Sequence, residues 1–104
     1  HLFGRTADMD ALGPIAEAAG VPIVEDAAQS ILSTWKGRCS GALGDIGCFS
    51  FYPTKNLGGA GDGGFVTTTR DDLAKTLKLL RVHGMEPRYY HDLIGINSRL
   101  DSLQ

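Results

Sequence analysis

Four residues carry side chains able to act together on one small molecule: Asp26, Gln29, Ser50 and Lys55. Asp26 and Gln29 close the run Val21-Pro22-Ile23-Val24-Glu25-Asp26-Ala27-Ala28-Gln29, and Ser50 belongs to a second apolar run, Ile46 to Tyr52. Lys55 follows that second run in a Pro-Thr-Lys turn, ahead of a glycine-dense loop ending at Gly64. If the two runs are neighbouring strands, an acid, an amide, a hydroxyl and an amine face one crevice. A lysine amine is a nucleophile only when neutral, so it suits carbonyl chemistry through a Schiff base. An aspartate opposite it can keep a pyridinium nitrogen protonated and make the ring an electron sink. Ser50, with glycine N–H groups, can hold a phosphate. The set fits pyridoxal phosphate better than any other ligand chemistry built from the same residues.

The elements that must position these groups can be read from pattern. Asp8 is placed to cap a helix whose apolar positions Leu12, Ile15, Ala16 and Ala19 share a face, and Gly20 is placed to end it. Pro14 fits inside that helix poorly, which leaves its first turn uncertain. Val21 to Asp26 predicts a short buried strand, completing half of a βαβ unit. Ser33 to Cys39 predicts a hairpin turning at Lys36-Gly37. Ile46–Tyr52 and Gly64–Thr69 predict two further core strands. Thr69-Arg70-Asp71-Asp72 resembles a capping box ahead of a helix with Leu73, Leu77 and Leu80 inward and Lys75, Lys78 and Arg81 outward. That helix is expected to stop near His83-Gly84. Met85 to Ile96 shows no period, and its Pro87-Arg88-Tyr89-Tyr90-His91 cluster suits an interaction loop. Asn97 or Ser98 is placed to cap a last helix. Strands alternating with helices give an α/β class.

The 104 residues suit one domain, and 42% hydrophobic content suits a globular core. His1 is no natural start and Leu103-Gln104 stops inside what reads as a helix just beginning, so an interior piece of a longer protein is expected. A net charge of −2 with mixed signs argues against a nucleic-acid partner, and no apolar run approaches membrane length. The two cysteines, Cys39 and Cys48, lack metal or redox spacing and read as free thiols in a reducing cytoplasm.

Three blocks resemble the DegT-type family of pyridoxal-phosphate-dependent sugar aminotransferases: Val24 to Gln29, Gly44 to Leu57, and Gly61 to Gly64. Ile94 to Gln104 and His1 to Gly4 are similar to further blocks of that family, so the likeness spans the whole chain. It implies a part of the large cofactor-binding domain of the type I aminotransferase fold, a mainly parallel sheet flanked by helices, over residues 1–104. The small C-terminal domain lies outside it, as do the turn that cups the phosphate and the aromatic ring that stacks on the cofactor. By this resemblance Lys55 is the Schiff-base lysine and proton shuttle, Asp26 the partner of the pyridine nitrogen, and Gln29 the residue beside the ring and its 3-hydroxyl. Ser50 is then a phosphate ligand, and Asn97 reaches the phosphate of the other subunit's cofactor, implying a homodimer with shared sites. The implied reaction is a ping-pong transfer from L-glutamate to the keto carbon of a nucleotide-linked deoxysugar, in amino-sugar biosynthesis. The Pro87-to-His91 cluster is similar to that of members acting on 3-keto sugars.

Other features argue less. Gly59-Ala60-Gly61-Asp62-Gly63-Gly64 matches Gly-x-Gly-x-x-Gly, but the dinucleotide motif opens a helix and this one runs into a predicted strand. Glu25 and Asp26 are no glycosidase couple, because neighbours on a strand point to opposite faces. His83 and His91 read as surface loop residues, and Trp35 as packing. A dehydratase of the same family would carry histidine in place of Lys55. A non-catalytic regulatory homologue would have no use for Asp26, Gln29, Ser50 and Lys55 together.

Overall fold

The computed structural model describes residues 1–104. Seven elements follow one another: α1 (Met9–Ala19), β1 (Val24–Asp26), β2 (Thr34–Trp35), β3 (Arg38–Cys39), β4 (Ile46–Ser50), β5 (Gly64–Thr67) and α2 (Asp71–Leu80). A three-stranded sheet has the order β1-β4-β5, and β2 and β3 form a separate hairpin. β1 runs parallel to β4, with Asp26 opposite Cys48, whereas β5 runs antiparallel to β4, with Ser50 opposite Gly64. The sheet within this chain is therefore mixed. The hairpin turns at Lys36 and Gly37, both at positive φ, as the primed two-residue turn requires.

Local chemistry explains the helix ends. Asp8 Oδ1 accepts from the Ala11 N–H, and Gly20 sits at φ 64 and donates to the carbonyls of Ala16 and Glu17. The first turn follows Asp8 directly, and Pro14 lies within α1, where it has no N–H to offer the carbonyl of Asp10. The expected apolar face of α1 is uncovered: Leu12 and Ile15 are exposed, and Met9, Gly13 and Ala16 are the half-buried positions. The capping box ahead of α2 does not form. Arg70 holds the N-cap without a side-chain bond, and Asp72 binds the Arg70 guanidinium instead, at 2.6 and 3.1 Å. Leu73, Leu77 and Leu80 are half-buried and Lys75, Lys78 and Arg81 exposed, as the spacing predicts.

A closed core is what this chain lacks. Only eight of 104 residues are buried, and the molecule is a slab 44 × 36 × 17 Å. A slab that thin has room for about two layers, so apolar side chains on the outer faces find no cover. Phe49 and Phe65 stack at 4.4 Å between ring centres and Phe51 tilts onto Phe65 at 5.1 Å, clamping β4 to β5. Such ring pairs contribute about 0.5–1.5 kcal/mol each beyond area burial. Beside them Gly47 and Gly41 meet so closely that a Cβ on Gly47 would lie 2.3 Å from the Gly41 Cα. No helix is long and apolar enough to cross a membrane.

Asp45 fastens the start of β4 to two other segments. Its Oδ2 accepts from the Ile23 N–H at 2.8 Å and its Oδ1 from Arg70 at 3.2 Å. These bonds, the backbone one foremost, hold its carboxyl below the ordinary value of 3.8. A carboxyl with a lowered folded-state pKa stabilises above its unfolded value and loses that contribution as pH falls through the folded one. Thermal melts of the full-length protein should show Asp45→Asn modestly less stable than wild type at pH 7. The gap should close as the pH drops below 3.8. A gap that persists unchanged in acid would show that the charge is not what braces Ile23 and Arg70.

Candidate active site

The carboxyl ends of β1 and β4 lie side by side, and the residues singled out from the sequence lie at or just beyond these ends. Side chains alternate along a strand, so Asp26, its neighbour Cys48 and Ser50 two residues on share one face. Asp26 is exposed, and its Oδ1 accepts from the Ala28 N–H at 3.1 Å, leaving Oδ2 free of partners. That bond turns the chain sharply after β1 and brings Gln29 round. Ser50 is half-buried, and its Oγ accepts from the Tyr52 N–H at 3.1 Å, which leaves the hydroxyl proton to donate elsewhere. Burial pushes the Cys48 thiol up, and the nearby Asp26 and Glu25 carboxylates push it further. A thiol held neutral there is no nucleophile.

Lys55 sits where the strand empties into its turn, with its N–H bonded to the Tyr52 carbonyl at 2.8 Å. It is half-buried, and its amine has no partner within the chain. With Gln29, Phe3, Gly4 and Ile31 it lines a cleft of about 350 Å³. The Gly4 N–H donates to the Gln29 carbonyl at 2.9 Å, joining the two walls of that cleft and leaving the Gln29 amide unengaged. The structure thus brings Gln29 to Lys55 and Asp26 to Ser50, on adjoining parts of one sheet end. A larger hollow of about 920 Å³ between β4, β5 and α2 holds none of the four. Phe51, Phe65, Leu77 and Leu80 are among its lining residues.

Asn97 lies apart from these residues. It is exposed, bridges Val82 through the backbone, and its Oδ1 accepts from Arg99 at 3.4 Å. The helix expected from Asn97 or Ser98 is not there. The Ser98 N–H is drawn to the Arg81 carbonyl, and Asp101 Oδ1 takes the N–H groups of Leu103 and Gln104. The Gly59–Gly64 run leads directly into β5 with no helix behind it, so the dinucleotide pattern is fortuitous. His83 and His91 are exposed and meet each other, Nδ1 of His91 donating to the His83 carbonyl at 3.0 Å. Trp35 packs at the hairpin and donates to Asp10 at 3.2 Å.

Glu25 is the residue whose importance the pattern did not disclose. Its neighbour Asp26 faces out, and it faces in, only 2% exposed. A charged residue in that position needs partners, and the signal was there: two consecutive acids in an apolar strand force one of them inward.

The family model for the DegT/DnrJ/EryC1/StrS aminotransferases matches residues 1–104. The chain belongs to that family. It is 50% identical over 104 residues to the pleiotropic regulatory protein of Geobacillus stearothermophilus. It is 49% identical over 104 residues to the UDP-N-acetyl-3-dehydro-alpha-D-glucosamine 3-aminotransferase of Acidithiobacillus ferrooxidans. In both cases all of this chain aligns, and it spans 28% of the relative's length. The crystal structure of S. venezuelae DesV in complex with a ketimine intermediate superposes with a TM-score of 0.90 at 49% identity. That match covers all of this chain and 28% of DesV. The fold is the α/β type I aminotransferase fold, of which these residues form a small part with a mixed sheet.

Proposed function

We propose that these residues are an interior part of the large cofactor-binding domain of a pyridoxal-phosphate-dependent aminotransferase acting on a nucleotide-linked keto-deoxysugar. The observation that carries this reading is the half-buried, unpartnered Lys55 amine in a cleft with Gln29, one strand-end away from Asp26. The donor set suits the cofactor: Asp26 Oδ2, the Gln29 amide, the Ser50 hydroxyl and the Lys55 amine each keep an unused hydrogen-bonding function. Bound there, pyridoxal phosphate supplies an electron-withdrawing ring that makes a C–H bond beside nitrogen acidic. Asp26 Oδ2 would accept from the ring N–H, Gln29 would lie beside the ring, and Ser50 would donate to the phosphate. Lys55 Nζ would anchor the cofactor and would carry a proton to and from substrate carbon.

In this reading L-glutamate is the amino donor, the transfer is ping-pong, and the product feeds amino-sugar or polysaccharide biosynthesis in the cytoplasm. The 3-aminotransferase relative and the Pro87-to-His91 cluster favour a 3-keto sugar. The relative described as a regulatory protein favours a second reading, a homologue that keeps the fold without turnover. The intact Asp26, Gln29, Ser50 and Lys55 set weighs against it. Purified full-length protein should be yellow, lose that colour with borohydride, and retain the cofactor's mass on the peptide containing Lys55. It should also aminate members of a panel of 3- and 4-keto nucleotide sugars. A colourless protein without turnover on the panel would support the regulatory reading.

Asn97 belongs to this proposal as a residue for the partner subunit's site, which suits its distance from the chain's own cleft. If so, Lys55→Ala and Asn97→Ala proteins, each inactive alone, should complement when mixed. Random pairing makes half the dimers hybrid, with one intact site in two, so recovery should approach about a quarter of wild-type activity. No recovery in confirmed hybrids would remove Asn97 from the shared site.

A further inference from the structure

Glu25 is buried on the side of β1 opposite Asp26, and its carboxylate is fully used. Oε1 accepts from the N–H groups of Leu43 and Gly44, both at 2.7 Å. Oε2 accepts from the Gly41 N–H at 2.7 Å and from His1 Nε2 at 2.9 Å. The roles at His1 are fixed by its other nitrogen. Nδ1 accepts from the Ala7 N–H at 3.0 Å, so Nε2 carries the proton, and the contact is a hydrogen bond from a neutral imidazole. Four donors converge on two oxygens, and only an ionised carboxylate can accept from all of them.

Each donor leads to a part of the cleft. Gly41, Leu43 and Gly44 belong to the loop that delivers the chain into β4, the strand bearing Ser50 and leading to Lys55. That loop is also tied to β5, through Thr67 Oγ1 donating to the Gly41 carbonyl at 2.6 Å. His1 begins the tight turn in which Leu2 and Arg5 pair, and that turn puts Phe3 and Gly4 into the cleft wall against Gln29. Glu25 itself is covalently next to Asp26. One carboxylate therefore sits behind the groups that Asp26, Gln29 and Lys55 present in front.

We infer that Glu25 is a positioning residue for the Lys55 cleft, its carboxylate locking the 41–44 loop and the His1–Gly4 wall to the strand that carries Asp26. The inference rests on the proposed aminotransferase function for its catalytic consequence, though not for the hold on the loop. Substitution by glutamine separates this role from space-filling, because the two side chains have nearly the same shape. Glutamine removes one oxygen and points its own N–H groups at donors that need an acceptor. In full-length Glu25→Gln, amide exchange across Gly41–Gly44 should accelerate by about tenfold or more, with cofactor present or absent. The kcat for amino transfer should fall by about 10- to 100-fold, with KM for the nucleotide sugar little changed, as misplacement of reacting groups does. The pH titration of the bound cofactor's visible absorbance should shift, which mere loss of stability would not cause.

Glu25→Asp keeps the charge with a shorter reach and should recover part of both the exchange protection and kcat. Nitrogen-15 spectra of wild-type protein labelled at histidine should show His1 as the Nε2–H tautomer. If Glu25→Gln does not fold, Glu25→Asp and the His1 spectrum decide the matter alone. Wild-type exchange, kcat and absorbance titration in either folded variant would overturn the proposal, as would the opposite tautomer at His1. A wild-type protein that binds no cofactor would end the aminotransferase reading, while the exchange rates would still report on the hold that Glu25 has on the loop.

Discussion

Full-length protein carrying Lys55→Ala is expected to lose amino transfer by about 10⁴-fold or more while still taking up pyridoxal phosphate. Anchoring the cofactor and moving the substrate proton both need a primary amine at one place, and alanine supplies neither. The cofactor's other proposed contacts, to Asp26, Gln29 and Ser50, remain in that variant, so uptake should survive without a covalent link. The cleft should hardly change shape, since Lys55 makes no hydrogen bond through its side chain and its backbone bond to Tyr52 is unaffected. Equilibrium dialysis would measure binding, and a coupled glutamate assay would measure turnover. Turnover near wild type, with rescue by added amines excluded, would sink the assignment of Lys55.

Asp26→Asn should cost about 10²- to 10⁴-fold in turnover. The estimate follows from the roughly 3–5 kcal/mol lost when one partner of a buried ion pair is removed, at 1.36 kcal/mol per factor of ten. Asp26 is exposed in this chain, so the full figure applies only once a bound cofactor covers it. Asparagine can still accept the Ala28 N–H that Asp26 Oδ1 accepts at 3.1 Å, so the turn after β1 should persist. What disappears is the negative charge facing the ring nitrogen. Stopped-flow rates with L-glutamate, alongside unchanged melting behaviour, would isolate that charge. Near-normal kinetics would reduce Asp26 to the residue that shapes the turn.

The parts of the fold that pattern revealed are those set by neighbours in sequence. Lys36-Gly37 turns the hairpin because both residues adopt positive φ, and Gly20 ends α1 for the same reason. The apolar run from Ile46 became β4, beside β1 as the crevice argument required, although Phe51 and Tyr52 fall beyond its end. Strand direction was not legible: β5 returns antiparallel because the Pro53–Gly63 loop has no helix to carry it across the sheet. Periodicity found the apolar stripe of α1, but it does not tell whether anything covers such a stripe, and Leu12 and Ile15 are exposed. The capping box failed because the N-cap falls on Arg70 and not on Thr69, which puts Asp72 one position too early to reach back, and the Arg70 guanidinium claims it. Of the site, the alternation that turns Glu25 and Asp26 to opposite faces was visible in advance. The partners of Glu25 were not, since they come from residue 1 and residues 41–44, and no local pattern joins them.

The opposed directions of Glu25 and Asp26 have a consequence for how this lineage can change. One of the two adjacent acids serves architecture and the other reactivity, so selection can release them separately. A descendant that abandons amino transfer is free to lose Asp26 and Lys55, whereas losing Glu25 would strand three backbone N–H groups and an imidazole in the interior. Regulatory homologues without turnover are therefore expected to retain an acid at position 25 and to drift at position 26. Presence of the first acid alone is a marker of ancestry, and only the pair of Asp26 with Lys55 is a marker of chemistry.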